Sequence, residues 1–152
     1  MKETMDYTGK HSELKKLFKE TETNILIPGS DIRIFNVPFI SGSMPEEFIN
    51  RNDISIKENL AFTYPVFSPS GRETGKPILL LHGLNERSWT KYLAWAYFLA
   101  ERCGRPVILF PISFHINRSP EAWKDPRIMN SMLKSRDAGT GDIKMSTFAN
   151  YA

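Results

Sequence analysis

The pattern of apolar and polar positions changes in character at Pro77. Before it, residues 31–40 alternate, with Ile32, Ile34 and Asn36 on one side, which is the period of a strand with one buried face. Pro38 cannot donate a ladder hydrogen bond, so this segment is predicted to be an edge strand. Residues 59–68 form a second extended segment, expected to run antiparallel to its neighbour.

The first thirty residues are mostly polar and carry one short helical signal. Leu14, Leu17 and Phe18 share a face at helical spacing, and Ser12 can cap the helix predicted to reach Glu20. We therefore expect a polar N-terminal extension over residues 1–30 and an α/β domain over residues 31–152. A second short helix is predicted at 45–51.

After Pro77 the apolar residues become continuous. Residues 78–81 and 106–111 are apolar runs typical of strands covered on both faces. Between them a strongly apolar helix is predicted over 88–103, ending at Gly104. Strand, helix and strand in this order predict a parallel, right-handed βαβ unit. The predicted fold class is α/β, with antiparallel edge strands followed by this parallel unit.

Composition narrows the function classes. The 152 residues suit one domain. The net charge is only +3, and the basic residues are scattered among acidic ones. They therefore form no continuous basic surface that could bind a phosphate backbone, and no nucleic-acid partner is expected. The apolar runs are too short to cross a bilayer, which needs about 20 residues, and a soluble cytoplasmic protein is expected. Cys103 is the single cysteine; it excludes an internal disulfide and is predicted to be a buried structural thiol.

The candidate chemistry lies at His82-Gly83, where the first apolar run ends. A glycine at the carboxyl end of a parallel strand lets the backbone turn sharply, so that amide N–H groups point into a cleft. Such donors can stabilise an oxyanion as charge develops during acyl transfer.

The residues Leu79-Leu-Leu-His-Gly-Leu84, followed by a helix and the 106–111 strand, resemble the amino-terminal half of an α/β-hydrolase. The sequences of residues 82–89 and 110–115 are also similar to segments of large uncharacterised bacterial hydrolase-like proteins. The resemblance covers roughly residues 55–125. It implies an oxyanion loop at His82, Gly83 and Leu84, with Leu84 carrying the donating N–H. The alternative is an ordinary βα turn in another α/β fold.

The resemblance also implies parts that the 152 residues lack. No serine has a glycine two residues before and two after it, so no G-x-S-x-G nucleophile elbow is present. His82 and His115 precede the place where the nucleophile would lie, and neither fits the triad order. We therefore expect a hydrolase-like chain truncated before its nucleophile and inactive alone, with an ester-type substrate only in a full-length form. The alternative is a complete small α/β domain that binds a partner or ligand through loops 82–90 and 112–120.

The loop after the second parallel strand is a weaker candidate site. His115, Asn117 and Arg118 lie where ligands bind in open α/β sheets, and Arg118 could pair with a carboxylate or phosphate. The other interpretation is a solvated loop whose histidine bonds a nearby backbone group. No metal site is predicted, because His82 and His115 lack a third ligand, and no cofactor is expected. Gly139-Thr-Gly141 is predicted to be a flexible turn.

One expectation concerns association. In the α/β-hydrolase order, the 77–81 strand lies between the 106–111 strand and the later nucleophile strand. Without that later strand it becomes an open apolar edge, which invites pairing with another chain. Self-association and marginal stability are therefore predicted.

Overall fold

The computed structural model describes residues 6–42, 56–71, 75–83, 86–131 and 134. Its strands are β1 (Asn24–Leu26), β2 (Ile32–Ile40), β3 (Ala61–Pro69), β4 (Ile78–Leu81) and β5 (Val107–Phe110). Its helices are α1 (Tyr7–Leu17), α2 (Lys57–Leu60) and α3 (Thr90–Cys103), with 3₁₀ helices at Ile116–Arg118 and Glu121–Lys124 and helical residues at 126–131.

The five strands form one mixed sheet in the order β1-β2-β3-β5-β4. β1 pairs antiparallel with β2, and β3 pairs antiparallel with β5, with Phe67 opposite Val107. β4 and β5 are parallel, from Ile78 opposite Val107 to Leu81 opposite Phe110. The prediction of an α/β protein with antiparallel strands and one parallel βαβ unit is confirmed at this level.

Helix α3 is the crossover between the two parallel strands, and it packs against β5. It begins two residues after the predicted start, at Thr90, and ends at Gly104. Gly104 has φ 59° and its N–H donates to the carbonyl of Ala100, the left-handed cap that glycine adopts most easily. Helix α1 packs on α3, where Leu14 is fully buried.

The prediction that β4 is covered on both faces is wrong. β4 is the last strand of the described sheet, and its alternate side chains Leu79 and Leu81 are 58% and 50% exposed. Their partners in register, Ile108 and Phe110, are only half-buried, whereas Val107 and Leu109 on the other face are fully buried. Helix α3 therefore supplies cover for one face of this pair.

The edge-strand prediction for 31–40 is also wrong, because β2 lies between β1 and β3. The N–H of Asn36 donates to the carbonyl of Thr23, so the backbone N–H and C=O groups of the even-numbered residues of β2 point toward β1. Pro38 shares that direction but lies beyond the end of β1. The proline therefore costs no ladder hydrogen bond. The edge-strand prediction was wrong because β1, with three residues, is too short to be predicted from the sequence.

The first helix begins earlier than predicted. Asp6, not Ser12, is its N-cap, and the Asp6 carboxylate accepts a hydrogen bond from the N–H of Gly9 at 2.8 Å. The helix also ends at Leu17, before the predicted Glu20. The prediction that Leu14 faces inward is confirmed.

Helix α3 is less uniformly buried than its composition indicated. Trp89, Leu93, Ala96 and Ala100 are buried as predicted. Trp95 is exposed, and Cys103 is exposed rather than a buried structural thiol. Cys103 lies in the last turn, where the helix borders a cleft, so its place on the apolar stripe does not bring it into the core.

The chain divides into two compact units. The first contains α1, the sheet and α3, and spans 1–39, 63–82 and 88–110. The second spans 40–62, 83–87 and 111–152, and within it α2 contacts the 3₁₀ helix at Ile116–Arg118. The helix predicted at 45–51 and the turn at Gly139-Thr-Gly141 lie outside the described residues. No helix in the described ranges has the length and apolarity to cross a membrane.

Asn36 joins β2 to the turn that follows α1. Its buried side-chain amide donates to the carbonyl oxygens of Lys19 at 2.8 Å and Glu22 at 2.6 Å. The inward position predicted from the alternation is confirmed. Both N–H groups of the amide find acceptors, whereas its Oδ1 is buried without a partner among the described residues.

Replacing this amide tests its contribution. Asn36→Ala should lower the free energy of unfolding by about 1–3 kcal/mol, because two carbonyl oxygens lose their donor at a partly buried site. Urea denaturation followed by circular dichroism measures it. Arg33→Ala, at an exposed position of the same strand, is the control and should change stability by less than about 0.5 kcal/mol. Equal effects of the two substitutions would contradict this role.

Candidate functional site

The His82-Gly83 turn directly follows β4, at the carboxyl end of the parallel pair. His82 is 5% exposed, and its ring meets the buried ring of Trp89 edge-on at a centroid distance of 5.7 Å. Trp89 immediately precedes α3. This contact ties the residue that follows β4 to the start of the crossover helix.

The structure describes two of the three predicted oxyanion-loop residues, His82 and Gly83. Gly83 is exposed. Leu84, the residue whose N–H would donate, lies outside the described residues. The turn is therefore at the predicted end of the predicted strand, and its assignment as an oxyanion loop stays a prediction.

The loop after β5 has an unusual backbone. Phe114 and Ile116 have φ values of 63° and 52°, in the left-handed region that non-glycine residues rarely adopt. Between them, His115 is 4% exposed, and its Nδ1 lies 2.9 Å from the carbonyl oxygen of Ser113. Because a carbonyl oxygen only accepts, Nδ1 carries the proton in this contact.

Arg118 is buried beneath the same loop. Its Nη1 donates to the carbonyl of Pro111 at 3.0 Å, and its Nη2 reaches the carbonyl of Asn59 at 3.4 Å. The guanidinium carbon lies 4.4 Å from the centre of the Phe62 ring, within the range of a cation–π contact. Arg118 therefore joins the segment after β5 to the start of β3 inside the second unit.

Burial also affects the pKa of Arg118. Desolvation lowers the pKa of its guanidinium from the ordinary value, although an arginine stays protonated. Its Nε–H finds no acceptor among the described residues. The expectation that Arg118 pairs with an anionic ligand stays a prediction, with two of its nitrogens already occupied by main-chain oxygens.

The three candidate residues His115, Asn117 and Arg118 come together around one 3₁₀ turn, Ile116–Arg118. The turn is well packed rather than solvated, since His115, Ile116 and Arg118 are all buried. The interpretation that the histidine bonds a backbone group is thus correct, and the accompanying picture of a solvated loop is wrong. Within the described ranges no group of three His, Cys, Asp or Glu residues could hold a metal ion.

The first unit also contains a cleft of about 730 Å³ that sequence reasoning did not predict. It lies where α3 ends and β2 begins, with Ser30, Asp31, Tyr97 and Glu101 in its lining. Because α3 runs back along the parallel strands, this end of α3 lies at their amino ends, away from the His82-Gly83 turn. Its residues are dispersed over three segments, so no local motif marks them.

Tyr97 forms the hydrogen-bonded centre of that cleft. Its hydroxyl lies 3.0 Å from Glu101 Oε1 and 3.2 Å from Ser30 Oγ. Because the carboxylate can only accept, Tyr97 donates to Glu101 and accepts from Ser30. Burial, with the neighbouring Glu101, raises the pKa of the Tyr97 hydroxyl. These groups satisfy each other, and we infer a structural role for the network.

The buried position of Arg118 leads to a stability prediction. Arg118→Met should lower the free energy of unfolding by about 1–3 kcal/mol, because two main-chain oxygens lose their donors. Arg118→Lys should recover only part of the loss, since an ammonium cannot reproduce the planar fork. Chemical denaturation of the purified variants measures both.

The matched control is Arg87, which also donates to a main-chain oxygen, that of Lys124 at 2.9 Å, but at an exposed site. Arg87→Met should alter stability by less than about 0.5 kcal/mol. If Arg118→Met were equally harmless, the clamp would contribute nothing to the second unit.

Comparison with known proteins gives a family but no function. Residues 41–152 match the model of a family of unknown function, DUF6051. Searches of curated proteins and of solved structures found no match. The matched segment includes β3, the β4–α3–β5 unit and the loop around Arg118, which is well over half of the chain. The chain therefore belongs to the DUF6051 family of unknown function.

Proposed function

We propose that residues 78–110 form the oxyanion-loop half of an α/β-hydrolase-type site, and that the 152 residues do not complete a catalytic triad for it. The observation that carries the proposal is the placement of the His82-Gly83 turn at the carboxyl end of a parallel strand and before its crossover helix. In an α/β-hydrolase, this turn supplies one backbone donor to the developing oxyanion.

The strand order supports the proposal. β5 lies between β4, at the edge of the described sheet, and the antiparallel strand β3. The hydrolase arrangement requires the strand carrying the His-Gly turn in this position, with its other edge left for the nucleophile strand. Among the described strands, none occupies that edge.

Packing at the turn supports it further. An oxyanion donor is effective when it is held in place before the reaction, so that no energy is spent on orienting it. The contact between His82 and the buried Trp89 holds the residue that immediately precedes Gly83. The His82 side chain would then act as a positioning group, with the chemistry assigned to backbone N–H groups.

The chain alone should not turn over an ester. With excess p-nitrophenyl acetate, we expect no steady hydrolysis above that of buffer and a control protein of similar lysine and histidine content. A single stoichiometric burst would reflect acylation of surface nucleophiles and not catalysis. Sustained, saturable turnover that His82→Ala removes would contradict the missing-triad proposal.

The hydrolase assignment itself has a second test. The coding DNA beyond codon 152 should be read for an apolar strand followed by G-x-S-x-G. A longer product that carries this motif should hydrolyse the ester, whereas the 152-residue form should not. A longer product with the motif but without ester, thioester or amide hydrolysis would count against the hydrolase proposal.

The second candidate function is that of a small α/β interaction domain without enzymatic activity. It is favoured by one observation, the half-exposed Leu79 and Leu81 on the last strand of the sheet. An open strand edge that carries exposed apolar residues is a template for pairing with another chain.

A further inference from the structure

The backbone of β4 has one paired side and one open side. The N–H of Ile78 donates to the carbonyl of Pro106 at 2.8 Å, so Ile78 and Leu80 direct their backbone groups toward β5. The intervening residues Leu79 and Leu81 must direct theirs the opposite way, because successive residues of a strand alternate. No described strand pairs with that side.

The same two residues expose their side chains. Leu79 and Leu81 point to one face of the sheet and are each at least half exposed. Natural sheet edges are protected by lysine, proline or a bulge, and β4 contains only Ile and Leu. The open side thus combines two outward N–H groups, two outward carbonyls and two leucines.

We propose that two copies of this chain associate by pairing β4 with β4 in antiparallel orientation, around a two-fold axis at Leu80. In this register Leu79 of one copy lies opposite Leu81 of the other. Each such pair exchanges two N–H···O bonds, so the four outward groups of each copy are all used in four hydrogen bonds. The four leucines meet on one face of the joined sheet.

A second copy is the occupant that this edge fits, because the edge is complementary to itself. In the two-fold arrangement, the two donors, two acceptors and two leucines of each copy all meet counterparts in the other copy. Pro77, which shares the outward direction of Leu79, has no N–H and so ends the ladder. The contact is isologous and closes at a dimer.

The contact is small, since β4 has four residues. Interfaces burying less than about 1,200 Å² belong to weak and transient complexes. The dimer should therefore form in a concentration-dependent way rather than as an obligate assembly. The proposal concerns the 152-residue chain, because in a longer product of the hydrolase type the nucleophile strand would occupy this edge of β4 instead.

Sedimentation velocity from about 5 to 500 µM tests the association, over the range expected of a small interface. The average mass should rise from monomer toward dimer. Leu79→Lys should weaken dimerisation at least about tenfold. Leu26→Lys is the control, because Leu26 is 62% exposed on β1 at the opposite edge of the sheet, and it should leave the dimer intact.

A mixing experiment tests the register. Leu79→Lys and Leu81→Glu should each be monomeric alone, and an equimolar mixture should form a heterodimer, because the introduced lysine and glutamate face each other. Recovery in the mixture also shows that both variants are folded. A wild-type chain that stays monomeric throughout, a dimer abolished by Leu26→Lys alone, or a mixture without heterodimer would overturn the proposal.

Discussion

The parallel pairing of β4 with β5 is the interaction on which the other features depend. Two parallel strands cannot be joined by a tight turn, so the chain must cross over between them. The fourteen residues of α3 provide this crossover, and α3 packs on β5 while α1 packs on α3. The same constraint places the His82-Gly83 turn at the carboxyl end of β4 and the 730 Å³ cleft at the other end. The far side of β4 has no neighbour among the described strands.

Local pattern predicted the elements of this unit well and their surroundings poorly. The apolar runs at β4 and β5 and the glycine after α3 are signals contained in a few adjacent residues. The burial of each face of a strand has no such local signal, because it depends on residues distant in sequence. Leu79 and Leu81 were predicted to be buried, but α3 covers only one face of the strand pair. Pro38 led to an edge prediction because the three-residue β1 was not recognised as a neighbour of β2.

The candidate site shows the same division. The position of the His82-Gly83 turn follows from where an apolar run stops, whereas its contact with Trp89 depends on how α3 returns over the sheet. Around Arg118, polar residue types suggested a ligand loop. In the structure, the guanidinium also donates to the main-chain oxygens of Pro111 and Asn59. A main-chain acceptor has no sequence signature, so composition could not have indicated this role.

Amide hydrogen exchange of β4, followed by NMR at a concentration where the chain is monomeric, tests the central claim most directly. If β4 pairs only with β5, and in the parallel register, the amides of Ile78 and Leu80 should exchange slowly and those of Leu79 and Leu81 rapidly. Uniform protection along β4 would show that another segment covers its outer side. Uniformly rapid exchange, or slow exchange at Leu79 and Leu81 alone, would contradict the parallel pairing from which the fold and the proposed site were derived.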